Sequence, residues 1–351
     1  MKYHKMRWGG ESEYRNEIYG LSIISIMIFH YFEDVFHSEL YANTLKNVCD
    51  IYFILIRSIG VEIFFFMSGV CLYYSLKKNN NLKEFYAKRF KRILCPYIIY
   101  GGLFWFIKDV IILKESIFDF LYDFSLLSFW FNGEKILWYI AVILFVYIIY
   151  PFIFSFFYKG DGDWQSRFIK LILSLGILIA FNMFINFFFN DVYMNLEIGL
   201  NRMVVVLFGS YYAEKIYSNN YFNKFDILLF VSGIALKMFS LFFFYENTIL
   251  FKICNNRIMN CISAISYIII LCLIFNKVFD KNKCCGFRKA LRTMGRCSLE
   301  LYLTHVTIRS MFKLLNLNTS NIIIYGICIL VSLILSFALK KLTNYVNSLN
   351  S

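Results

Sequence analysis

Residues 18–36 read IYGLSIISIMIFHYFEDVF. From Ile18 to Phe29 only Tyr19, Ser22 and Ser25 carry polar side-chain atoms, and His30 follows. As a helix, such a run is long enough to cross a ~30 Å hydrocarbon core. A titratable ring near its end is either tolerated by packing or used in chemistry.

Similar apolar runs recur along all 351 residues, which are 59% hydrophobic with a mean hydropathy of +0.59. Soluble domains are about 45–50% apolar. Helices satisfy their own backbone hydrogen bonds in lipid, so a bundle is the expected solution. The pattern predicts an all-α, polytopic integral-membrane bundle of about ten transmembrane helices. The predicted spans are 18–37, 51–76, 93–113, 136–158, 168–190, 199–217, 226–246, 258–279, 297–315 and 321–342. The short apolar segment 117–131 reads as re-entrant or interfacial. The chain 1–351 reads as one membrane-embedded domain, with tails at 1–17 and 343–351. The first span lacks a small-residue cleavage site after it and reads as an anchor, not a removable signal.

The formal charge is +13. In a soluble chain that would point to nucleic acid; here the cations stand in short loops between spans, so no nucleic-acid partner is expected. Loops on the side of the two termini hold 25 Lys and Arg, against 9 on the other side. Cytoplasmic loops carry the excess of Lys and Arg, so both termini are predicted to be cytoplasmic. The ten cysteines lack metal-site spacing, and no metal is expected. Most lie in or beside spans, where cysteine acts as a small hydrophobe.

Ionisable groups inside a membrane are costly and face the bundle interior or a water-filled cavity. The candidates singled out in the predicted spans are His30, Arg57, Glu62, Arg202, Lys237 and His305. His30, Arg57 and Glu62 fall at similar depth on two consecutive helices. A carboxylate near His30 would fix its tautomer and raise its basicity; Glu62, Glu33 and Asp34 are candidates. Structural roles stay open: His305 in packing, and Arg57 and Lys237 snorkelling to headgroups.

Five stretches in order resemble the integral-membrane acyltransferase 3 family. GLSIISIMIFH (20–30) is similar to its first-helix motif ending in histidine. GVEIFFFMSGVCLY (60–73) is similar to its Gly–acidic–Phe-Phe–Ser-Gly motif. FYAKRFKRILCPY (85–97) resembles its basic loop leading to proline, and ILWYIAVILFVYIIYP (136–151) its Trp-aromatic helix. MGRCSLELYLTH (294–305) resembles its penultimate-helix motif ending in Tyr-Leu-x-His. One departure stands out. The family has an arginine eleven residues before the histidine, about three turns below it on the same face. Here that position is Tyr19, and Arg15 lies one further turn down.

The resemblance implies an O-acyltransferase moving an acyl group, most often acetyl from acetyl-CoA, to a carbohydrate hydroxyl of the cell envelope. It implies a multi-pass protein of a bacterial inner or plasma membrane, with the lipid bilayer and polysaccharide biosynthesis proteins as partners. His30 would be the base, or a transient acyl carrier, with Glu62 orienting it and Arg57 stabilising the oxyanion or holding the acceptor. CoA is polyanionic, so Arg89, Arg92, Arg15 and Arg296 would hold it. Trp138 and Tyr139 would stack on sugar or acyl chain, or pack at the interface. Ser68 and His305 complete the candidate substrate contacts, although Ser68-Gly69 also suits close helix approach. No fused extracytoplasmic hydrolase-like domain is evident. A carrier of polysaccharide or lipid-linked sugar, or a synthase component without chemistry of its own, are the other readings.

Overall fold

The computed structural model describes residues 7–39, 41, 43–56, 59–159, 163–242, 257–279 and 285–349. These residues form helices and no β-strand; an isolated bridge joins Arg7 and Tyr221. Nine helices among them are long and apolar enough to cross a membrane. Each corresponds to a predicted span. The remaining predicted span, 297–315, is the 17-residue helix Ser298–Leu314, shorter and more polar than the others and buried for much of its length.

The elements that build the site are α1 (Arg15–His37), α2 (Asn43–Ile56), α3 (Val61–Lys78) and α4 (Leu82–Pro96). They continue with α5 (Trp138–Tyr158), α6 (Asn190–Leu200), α7 (Met203–Tyr217), α8 (Cys285–Arg296), α9 (Ser298–Leu314) and α10 (Ile322–Leu349). The predicted span 51–76 thus divides between α2 and α3, and Gly60 caps the start of α3 with a non-helical ψ of −110°. The segment 117–131 forms two short helices, Ile117–Phe124 and Leu127–Asn132, separated by Leu126 at a left-handed φ of 63°.

The side chains divide by environment. On Trp164–Phe188 most of the apolar surface is exposed, with Ile177 at 70% and Phe187 at 81%, as suits a lipid-facing helix. In α7, by contrast, nearly every residue is buried. Helix α7 packs on α3 more extensively than any other pair. The cause is two glycines. A methyl on Gly69 would strike the Val206 carbonyl, and one on Gly209 would strike that of Phe66. Without Cβ atoms the two backbones approach closely. Lys237, open to snorkelling in the sequence, is instead buried and bonded to Asn260.

Amphipathic α8 docks on α1 in the same way, through Gly20 against Leu291 and Gly295 against Asn16. Buried Glu17 of α1 accepts from Arg288 at 2.9 Å and from Arg292 at 2.8 Å. A Gly295→Ala variant is expected to lose about 1–3 kcal/mol through overpacking. Its thermal midpoint in detergent would fall accordingly; an unchanged midpoint would show that α8 is free to shift.

Two faces follow from these contacts. On the terminal face, the Trp8 amide bonds the Asn220 carbonyl at 3.0 Å and Lys91 reaches that of Asn347. On the far face, the Tyr41 hydroxyl donates to the Ser320 carbonyl at 2.8 Å.

Candidate active site

Two cavities penetrate the bundle from these faces. The terminal-side cavity, about 190 Å³, is lined by the ends of α1, α4 and α8 and by α3, α5 and the start of α9. All four arginines expected to hold CoA line it: Arg15, Arg89, Arg92 and Arg296. Tyr19, Ser68 and Tyr139 line it too. The far-side cavity, about 530 Å³, is lined by His30, Glu33, Glu62, Trp138, Arg202 and Arg309 among others. A third, shallower recess of about 280 Å³ adjoins the first and shares Arg92 and Arg296 with it.

The four arginines differ in their partners from the other described arginines inside the bundle. Arg167, Arg202, Arg288, Arg292 and Arg309 each hold a carboxylate. Among the described residues, Arg15, Arg89, Arg92 and Arg296 hold none; Arg89 donates to the Cys71 carbonyl at 3.0 Å. The cavity therefore presents uncompensated positive charge, the chemistry that receives phosphates. Tyr19 stands in the same wall as Arg15, its ring stacked on Phe64 at 5.2 Å. Its hydroxyl faces the Cys71 sulfur. It adds a phenol to this site where the family has a cation.

His30 sits on α1 one turn before Asp34, and Arg309 sits on α9 one turn after His305. The two helices bring these four residues together. Arg309 binds Asp34 through Nε at 2.9 Å and through Nη2 as well, a two-pronged pairing. Nη2 also reaches Glu33 at 2.7 Å, and Lys313 reaches Asp34 at 2.6 Å. His30 Nδ1 lies between Arg309 Nη1 at 3.0 Å and Glu33 Oε2 at 3.3 Å. A guanidinium only donates, so the Arg309 contact puts the neutral ring's proton on Nε2. Donation from Nδ1 to Glu33 instead leaves Nε2 bare and basic. His30 Nδ1 thus faces both a donor and an acceptor, and the tautomer with a bare Nε2 is the one that bonds Glu33.

Among the described residues Glu62 makes no hydrogen bond or ion pair with His30. It pairs with Arg202 at 3.0 Å, and Arg202 also donates to the Ile198 carbonyl and stacks over Trp138. This pair lines the same cavity as His30. Arg57 lies outside the described residues. His305 is fully buried and lines neither cavity; its ring centroid is 5.7 Å from that of His30. The Tyr325 hydroxyl donates to the Met27 carbonyl and accepts from His305 Nε2 at 3.2 Å. His305 therefore supports the His30 ring from behind. Ser68 donates to Phe64 of its own helix at 2.8 Å, and its neighbour Gly69 makes the close helix approach.

A family model described as an acyltransferase domain, Acyl_transf_3, matches residues 20–341. The chain belongs to the acyltransferase 3 family. It is a membrane acyltransferase. No curated protein and no solved structure matches it. In this acyltransferase, the residue that the sequence reading passed over is Arg309, counted there as a loop cation. Its signal was present: His305 and Arg309 are four apart, as are His30 and Asp34. Residues at that spacing share a helix face.

Proposed function

We propose that the protein transfers an acyl group, acetyl in the simplest case, from acyl-CoA to a hydroxyl of an envelope or exported carbohydrate. The observation that carries this is the pairing of cavities. One is lined by four arginines that hold no carboxylate among the described residues, and it opens to the cation-rich terminal face. The other opens to the far face and holds a tautomer-controlled histidine. The excess of cations on the terminal face supports a cytoplasmic position for it, on the side where acyl-CoA is made. The CoA phosphates would sit among Arg15, Arg89, Arg92 and Arg296, and the acceptor sugar against Trp138 in the far-side cavity. The lipid is that of a bacterial plasma membrane, and the proteins that build the acceptor glycan are the natural partners.

His30 Nε2 takes the acceptor hydroxyl proton as its oxygen attacks the thioester carbon. The C–S bond breaks, and the proton returns to the CoA thiolate. General-base assistance of this kind is worth about 10²–10⁴-fold. Closing the reacting groups away from bulk water also limits thioester hydrolysis.

The donor half is tested on the arginines. Arg92→Ala and Arg296→Ala are each expected to raise the KM for acetyl-CoA by about 10–100-fold, as loss of a charged hydrogen bond implies. The KM for the acceptor should stay constant. Arg292→Ala, which removes a Glu17 partner, serves as control and should leave the acetyl-CoA KM unchanged. Equal effects of all three on acetyl-CoA would sink the assignment. A carrier would instead move glycan without changing its acyl content, which mass spectrometry of the envelope glycans detects.

A further inference from the structure

The two cavities share one wall. Three residues line both: Ile26 of α1, Val61 of α3 and Tyr302 of α9. Two of these are aliphatic, so Tyr302 is the one residue of this wall whose side chain carries a polar atom. Tyr302 is buried, at 6% exposed, and its ring packs edge-on against Tyr139 at 5.2 Å. Its hydroxyl has no hydrogen-bond partner among the described residues. The Tyr139 main-chain N–H, near the start of α5, faces the phenol oxygen outside hydrogen-bonding geometry. That group is a donor and leaves the phenolic proton unused.

A buried hydroxyl without a partner is costly and calls for a reason. Tyr73 and Tyr211 also have unpartnered buried hydroxyls, but they line neither cavity. Only Tyr302 combines an unspent donor with a place where groups entering from opposite faces meet. An acyl group delivered from one cavity to a hydroxyl in the other has to react at this wall. As the acceptor oxygen bonds to the thioester carbon, the carbonyl π pair moves onto oxygen and needs a hydrogen-bond donor. His30 is occupied as base, and Arg202, whose Nε is unpartnered, is held by Glu62 and lines only the far-side cavity.

We infer that Tyr302 is a catalytic residue whose O–H donates to the thioester carbonyl oxygen as it becomes the oxyanion. When the intermediate collapses, that electron pair re-forms the carbonyl, the C–S bond breaks and the thiolate takes the proton held on His30. Tyr302 keeps its own proton throughout. Aliphatic Ile26 and Val61 beside it keep the surroundings dry, which strengthens such a hydrogen bond.

This inference rests on the acyl-transfer reading, and the experiment separates the two. Membrane vesicles from cells that make the acceptor glycan, carrying the full chain or a variant, receive labelled acetyl-CoA. Alkali-labile label in the carbohydrate fraction is followed. Tyr302→Phe removes only the hydroxyl. It is expected to lower kcat by about 10²–10³-fold, the usual effect of losing one oxyanion donor. The KM for acetyl-CoA and the thermal midpoint should remain at wild-type values. Wild-type kcat in this variant overturns the role of Tyr302, as does a raised KM with kcat intact. If Tyr302→Phe fails to accumulate, ring-fluorinated tyrosine at position 302 keeps the packing and acidifies the hydroxyl. A shifted kcat at constant KM then supports the donor, and an unshifted kcat overturns it. A wild-type chain that neither binds acetyl-CoA nor labels carbohydrate overturns the acyl-transfer reading itself, and Tyr302 with it.

Discussion

His30→Ala is expected to lower kcat for acyl transfer by about 10²–10⁴-fold while the protein still inserts and folds. The ring is replaceable structurally. It sits at the edge of the far-side cavity, and its Nδ1 is only one of several contacts made by Arg309 and Glu33. Removing it leaves Arg309 bound to Asp34 and Glu33, so no charge loses its only partner. The loss should therefore appear in turnover and not in thermal stability. His30→Gln, which keeps a polar group but cannot take a proton near neutral pH, should be equally inactive. The measurement is CoA release per mole of folded protein, with labelled product as cross-check. Wild-type turnover in both variants would remove His30 from the chemistry.

Arg309→Ala should produce the largest change in stability, about 3–5 kcal/mol, because breaking a buried ion pair leaves an uncompensated charge. Asp34 is the group exposed to that penalty: its side chain is 4% accessible and its two-pronged partner would be gone. Lys313 still reaches Asp34 at 2.6 Å and softens the loss, which holds the estimate within that range. Glu33 is more open and contributes less. The double variant Arg309→Ala/Asp34→Asn removes both charges and should recover much of the midpoint. Activity should stay low, because Glu33 and His30 lose the donor that fixes their geometry. If Arg309→Ala melts like the wild type, the cluster is not holding α1 and α9 together.

The bilayer made much of the fold legible. A hydrocarbon core demands apolar runs of a set length and confines cations to their ends, so the spans could be counted from the chain alone. The same rule exposed His30 and the arginines of the terminal face. Pairings between helices were less visible. Glu62 and Arg202 are 140 positions apart, and nothing in either motif announces that the carboxylate meets that guanidinium and not the His30 ring. Arg309 was hidden for another reason: at the end of a polar helix, beside Lys313, it looks like an ordinary loop cation. The closeness of α3 and α7 depends on Gly69 meeting Gly209, a contact of tertiary packing that no local pattern encodes.

The wall of Ile26, Val61 and Tyr302 also has an electrical meaning. Water entering both recesses would shorten the insulating path, so a membrane voltage would fall mainly across the wall between them. Moving one elementary charge through that field costs or yields about 2.3 kcal/mol per 100 mV. A phosphate could not pass without that work, whereas an acyl group is uncharged and crosses with none. On the proposed reading, a neutral fragment would cross an energised membrane while the anionic donor stayed behind, and the potential would neither drive nor oppose the exchange.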